Sequence, residues 1–151
     1  MNALLRITYS VLLFVIISQP LLAQQAAKSQ NLLRQGDAFV DQGFYKEALT
    51  AYNQAIVSSQ QQPTDTLHIR ALLSAGYAQI KLSKLRQADS LSQLAEASLS
   101  QLTQPPLSLL ARFLKLKGDL AERYDRYPLA LEHYYKALRL ASDSEGNRSR
   151  L

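Results

Sequence analysis

Apolar positions recur along this chain at helical spacing. Leu32, Leu33, Gly36, Phe39 and Val40 follow i, i+3, i+4, i+7 steps, which predicts an amphipathic helix ending at Gly43. Ala48, Leu49, Tyr52, Ala55 and Ile56 predict a second, closed by the polar run Ser58–Pro63. Thr64 or Asp65 can cap a third helix, because its side-chain oxygen can accept from exposed backbone N–H groups. The third stripe is Ile69, Leu72, Leu73, Gly76, Tyr77 and Ile80, with Ser83 at the turn position that Gly43 holds earlier. A serine-rich fourth helix carries Leu85, Ala88, Leu91, Leu94, Ala95 and Leu102. Its modest propensity leaves it dependent on packing. Pro105 and Pro106 open a fifth helix with Leu109, Leu110, Phe113, Leu114 and Ala121. Asp125 takes the next turn, and Pro128 starts a sixth with Leu131, Tyr134, Tyr135 and Leu138. Strand-like alternation of β-branched residues is scarce.

The helices come in pairs on a grid. Gly36, Gly76 and Gly118 are each followed 12 residues later by Ala48, Ala88 and Ala130. Ala55, Ala95 and Ala137 follow 7 residues after those, and the units start 40 and 42 residues apart. A fixed period in this range marks an array of like supersecondary units. The expectation is three helical hairpins in which each glycine faces the alanines of the second helix, so that small residues permit close approach.

The ends read differently. Arg6, the apolar run Val11–Ile17, the break at Pro20 and the small residue Ala23 have the layout of a secretory signal peptide over residues 1–23. Ser18-Gln19-Pro20 interrupts the run before the ~20 apolar residues a span needs. The expected location is therefore exported, periplasmic or secreted, after cleavage near Ala23, with no membrane span in the mature chain. The repeat domain is expected over residues 24–142. Residues 143–151 are polar, either a tail or the start of a further, truncated repeat. The chain has no cysteine, so neither a disulfide framework nor a lipid-bearing thiol supports it. The net charge of +5 is dispersed, which fits a solvated surface better than nucleic-acid binding.

The grid resembles the tetratricopeptide repeat. The first unit carries Leu32, Gly36, Phe39, Gly43, Tyr45, Ala48, Tyr52 and Ala55. The second carries Leu72, Ala75-Gly76, Leu85, Ala88 and Ala95, with Ser92 where the others have an aromatic. The third carries Leu114, Gly118, Tyr127, Ala130, Tyr134 and Ala137. No unit has the family's tryptophan, and Gln35 and Lys117 replace its leucine before the glycine. The period exceeds the usual 34, with the excess near Pro63 and Pro105. The resemblance implies an all-α, α-α right-handed solenoid of three hairpins whose first helices line a concave face. Long-period repeats behind a signal peptide are also similar to the exported sensor region of bacterial histidine kinases and regulators. The chain could then be a truncated piece of such a protein or a decayed short paralogue.

Chemistry finds no foothold. His68 and His133 fall on different hairpins, and no metal-spaced cluster, nucleophile elbow or phosphate loop is present. No enzyme activity, cofactor or metal is expected. Offsets carried over from the resemblance put Leu33, Asp37, Val40 and Asp41 of the first unit toward the groove. The second and third units add Arg70, Leu73, Tyr77, Ile80, Lys81, Arg112, Lys115, Asp119, Glu122 and Arg123. The binding candidates are Arg70, Tyr77, Lys81, Arg112, Lys115, Asp119 and Arg123, a cationic surface suited to a protein or peptide partner, an acidic one in particular. Where family members clamp a peptide C-terminus with asparagines, Asp37, Tyr77 and Asp119 stand instead. The expected role is an exported interaction module, with a sensor fragment and a self-associating scaffold as alternatives. Apolar residues of the last hairpin such as Leu131 and Leu138 would drive the latter.

Overall fold

A computed structural model describes residues 23–60 and 65–148, with side chains described through residue 142. The signal-peptide reading of the first 22 residues falls outside that range. Six helices follow in order: α1 (residues 23–41), α2 (Tyr45–Ser59), α3 (Thr66–Lys81), α4 (Leu85–Ser100), α5 (Leu107–Arg123) and α6 (Tyr127–Arg148). They pack sequentially as hairpins, α1 with α2, α3 with α4 and α5 with α6. Consecutive hairpins join through α2 against α3 and through α3 and α4 against α5.

The three hairpin turns share one backbone design. Gly43, Ser83 and Asp125 are left-handed, with φ of 79°, 59° and 59°. Each lets the next residue donate back into the helix it leaves: Phe44 N to Phe39 O at 2.8 Å, Lys84 N to Gln79 O at 2.9 Å, Arg126 N to Ala121 O at 2.8 Å. This closes the orphan carbonyls of the first helix in a Schellman arrangement. Glycine adopts that backbone freely, whereas serine and aspartate carry a steric cost there that the surrounding packing must offset. The carbonyls of Phe44, Lys84 and Arg126 then accept from Ala48, Ala88 and Ala130, so the turn itself starts the second helix. At α3 the start is capped instead by Asp65, which accepts from the Leu67 N–H at 3.1 Å.

The core forms two clusters along the array, bridged by the partly buried Ile56 and Leu91. Leu33, Ala48, Tyr52, Ala55, Ala71, Ala75 and Ala78 fill the first half, and Ile69, Leu72, Leu73, Ile80, Ala88, Ala95, Leu99, Leu109, Leu116 and Leu120 the second. All six grid alanines are buried, as their spacing implied. Leu102, expected on α4, lies past its end but still packs partly buried against the second cluster. Helix α6 runs on to Arg148 and takes in part of the stretch expected as tail or further repeat. Among the described residues no helix is long and apolar enough to cross a membrane.

The expected facing of glycine and alanine holds in part: the Ala88 carbonyl oxygen would lie 3.8 Å from a Cβ at Gly76, but the nearest neighbour of each grid glycine is a larger side chain. A Cβ at Gly36 would overlap the ring of Tyr52, and one at Gly118 would lie 2.5 Å from Tyr134 Cε1. In the middle hairpin a Cβ at Gly76 would lie 2.9 Å from Leu116 Cδ2, a side chain of the next hairpin. The alanines do bring the helices close, but it is a ring or a leucine tip that occupies the hollow above each glycine.

Candidate functional site

The first helices of the hairpins, α1, α3 and α5, border a groove of about 280 Å³ lined by Asp37, Val40, Leu73, Tyr77, Arg112, Lys115, Leu116 and Asp119, with Tyr52 reaching in from α2. Tyr77, Arg112, Lys115 and Asp119 therefore come together as expected. An adjoining pocket shares Tyr77, Lys115 and Asp119 with it and adds Ile80, Lys81, Glu122 and Arg123. Leu33, by contrast, is wholly buried in the core and does not reach the groove. The helix face that packs on α2 claims it.

Tyr77 is the centre of the arrangement. The ammonium groups of Lys81 and Lys115 each lie 5.2 Å from its ring centroid, a distance at which the ring quadrupole attracts a cation. Lys115 also pairs with Asp119 at 2.9 Å. Arg123 donates to the Ile80 carbonyl at 3.3 Å and so helps dock α5 on the last turn of α3. Its role in the structure is a joint between hairpins.

Arg70 is likewise a joint. Its guanidinium pairs with Asp37 across the first junction at 2.5 Å. The Asp37 carboxylate also accepts from the Tyr52 hydroxyl at 2.8 Å. Asp119 and Glu122 accept from the Tyr134 hydroxyl at 2.9 and 2.7 Å in the same way. Burial and then the carboxylate contact raise the pKa of Tyr52, and burial with the two carboxylates raises that of Tyr134. Both hydroxyls stay protonated donors. Neither tyrosine stood among the sequence candidates. Their shared place 16 residues after the glycine, paired with an aspartate one residue after it, was the available signal.

The repeat offset places Arg112 in the third hairpin where Arg70 sits in the second, and Tyr77 where Asp37 sits in the first. The second junction therefore has the arginine without the aspartate. Among the described residues nothing pairs with Arg112, an exposed side chain on the groove rim.

The histidines stand apart from the groove. His68 is buried, with Nδ1 3.0 Å from Ser59 Oγ, and burial lowers its pKa. Burial, then the nearby Lys117, lowers that of His133. No group of histidine and carboxylate side chains able to hold a metal occurs among the described residues. Neither a protein-family model nor a characterised protein matches the chain by sequence.

Proposed function

We propose that this chain is an exported, non-catalytic interaction module, a tetratricopeptide-like array whose groove receives an acidic peptide segment. One observation carries the reading. At the first junction Arg70 is met by the groove residue Asp37, and at the second the same arginine position, Arg112, is left open on the groove beside Tyr77. A ligand carboxylate laid against Arg112 would complete the pairing that Asp37 supplies to Arg70. Arg is suited to this because its planar fork can bind a carboxylate through two parallel hydrogen bonds. Lys81 and Lys115, held against the Tyr77 ring, would add attraction without competing for the same acceptor geometry. Asp119 partly offsets Lys115, so Arg112 is the dominant contact.

The test is fluorescence anisotropy of a labelled tetraglutamate peptide, with tetralysine as control. Binding should be selective for the acidic peptide and should weaken as salt rises. Arg112→Glu should weaken it by at least about tenfold, or ~1.4 kcal/mol. Arg112 is exposed, so helicity by circular dichroism should not change. Absence of acidic selectivity, or equal binding by the variant, would remove the reading.

A further inference from the structure

We infer that α6 pairs antiparallel with α6 of a second copy of this chain. The inference stands on a different surface from the groove. Leu131, Tyr135 and Leu138 are 54%, 66% and 67% exposed, although they share one face of the helix. With Ser142, also exposed, they alternate steps of four and three residues, the spacing of a coiled-coil seam. Within the chain this face is used to join hairpins. By the repeat offset, Leu131 and Leu138 correspond to Leu49 and Ile56 of α2, which pack partly buried against the core at the first junction. Among the described residues, nothing covers the corresponding face of α6.

The other end of the array is unlike it. Ala27, Asn31, Gln35 and Ala38, which occupy on α1 the offsets of α3's inward residues Leu67, Ala71, Ala75 and Ala78, are all exposed and small or polar. Head-to-tail stacking would set leucines against amides, whereas like-with-like pairing buries apolar on apolar. Charge selects the direction. Glu132 and Arg139 lie on the same flank of the seam, two turns apart. Antiparallel crossing near Tyr135 brings Glu132 of each copy beside Arg139 of the other, twice by symmetry. Arg139 has no side-chain partner in its own chain among the described residues, and Glu132 has only the exposed i,i+4 contact to Lys136. A two-fold pairing of one face is closed, so assembly stops at two. Two to three turns of seam make a small interface by the standard of specific ones, which clear about 1,000 Å², so a weak, concentration-dependent dimer is expected.

Sedimentation velocity on the protein as the cell leaves it is the test. It should show a dimer that saturates with concentration. Leu138→Asp should abolish that dimer with helicity retained. Glu132→Arg and Arg139→Glu should each weaken it about tenfold, and the double exchange should restore it, since the two charges then meet in reverse. The charge exchange stays informative if Leu138→Asp fails to fold. A monomer up to about 100 µM would overturn the inference, and is also what a face covered by another part of the same chain would give. A dimer indifferent to Leu138→Asp, growth beyond two, or a double exchange that restores nothing would overturn it equally.

Discussion

The two junctions between hairpins are built at the same repeat offsets from nearly opposite materials. The first uses Asp37, Tyr52, Arg70 and Ser74, and the second has Tyr77, Ser92, Arg112 and Leu116 at the equivalent places. In the first, the hollow above Gly36 is filled from within the hairpin by the Tyr52 ring, and Ser74 of the next hairpin stands beside its hydroxyl. In the second, Ser92 is too short to reach, and Leu116 of the next hairpin fills the hollow above Gly76. Ser59 and His68 meet by a hydrogen bond at the first junction, where the second has the apolar pair Leu99 and Leu110. The lesson is that the backbone repeat tolerates a hollow filled from within the hairpin or from its neighbour, provided it is filled once; both joints keep polar contacts, the second through Arg123 to the Ile80 carbonyl and Lys117 to Glu96. What differs is the residue left over. The first joint consumes its arginine, and the second leaves Arg112 to solvent.

The sharpest way to break this comparison is to empty the first hollow. Tyr52→Ser should cost about 3–5 kcal/mol in urea or thermal unfolding, as for other buried aromatic truncations. Adding Ser74→Leu copies the filling of the second junction into the first. Ser74→Leu alone should destabilise by ~1–3 kcal/mol, because the ring already occupies the space. The pair should be less damaging than the sum of the singles by at least about 1 kcal/mol. Strict additivity would mean that the two hollows are not equivalent.

The glycines sharpen the same point at smaller scale. Gly36→Ala drives a methyl into a ring that is almost wholly buried and cannot move aside. A net loss of about 1–3 kcal/mol is expected even after the better helix propensity of alanine. Gly76→Ala overlaps only the tip of Leu116, at 2.9 Å, which a small shift of that side chain relieves even though it is buried, so its effect should stay within ~1 kcal/mol of zero. Gly118→Ala should fall between them, since Tyr134 is partly exposed and has room to swing outward. Equal losses at Gly36 and Gly76 would refute the distinction.

The hairpins were legible in the sequence because their markers are local. Gly43, Ser83 and Asp125 stand at one offset and share one left-handed turn. The grid alanines are buried because helical periodicity alone puts them on the inner face. The glycine contacts were legible in part: Ala88 does approach Gly76, but the ring or leucine tip that fills each hollow comes from another helix, and its reach depends on tilt. The groove was half legible. An offset can place Arg70 and Arg112 on the same face, but it cannot tell that Asp37, 33 residues before Arg70, neutralises one of them. Tyr52 and Tyr134 were visible only as matches to a repeat pattern, and their hydrogen bonds to Asp37 and Asp119 emerge once the helices are packed.

Acid should weaken the first junction and spare the second. His68 is buried between α2 and α3, with Ser59 Oγ at 3.0 Å and Asp65 as the nearby carboxylate. Ser59 already donates to the Ala55 carbonyl at 2.7 Å, so the contact is met by a hydrogen on His68 Nδ1. Burial outweighs the opposing influences of the Ile56 backbone carbonyl and Asp65, and the folded pKa of His68 is lowered. The unfolded chain then binds more protons than the folded one just below the ordinary histidine value, about 6.5. Stability should be full above that value and fall as pH drops through it, levelling only below the lowered folded pKa. Leu99 and Leu110 carry no such group. The melting temperature should therefore decrease between about pH 7.5 and 5.5, a window chosen above most carboxylate titration. His133, whose folded pKa is also lowered, contributes in the same direction. His68→Leu should make the profile flatter than the parent's, and Ser59 stays satisfied through Ala55. A His68→Leu profile as steep as the parent's would move the acid sensitivity to His133, and the first junction would then be no more pH-dependent than the second.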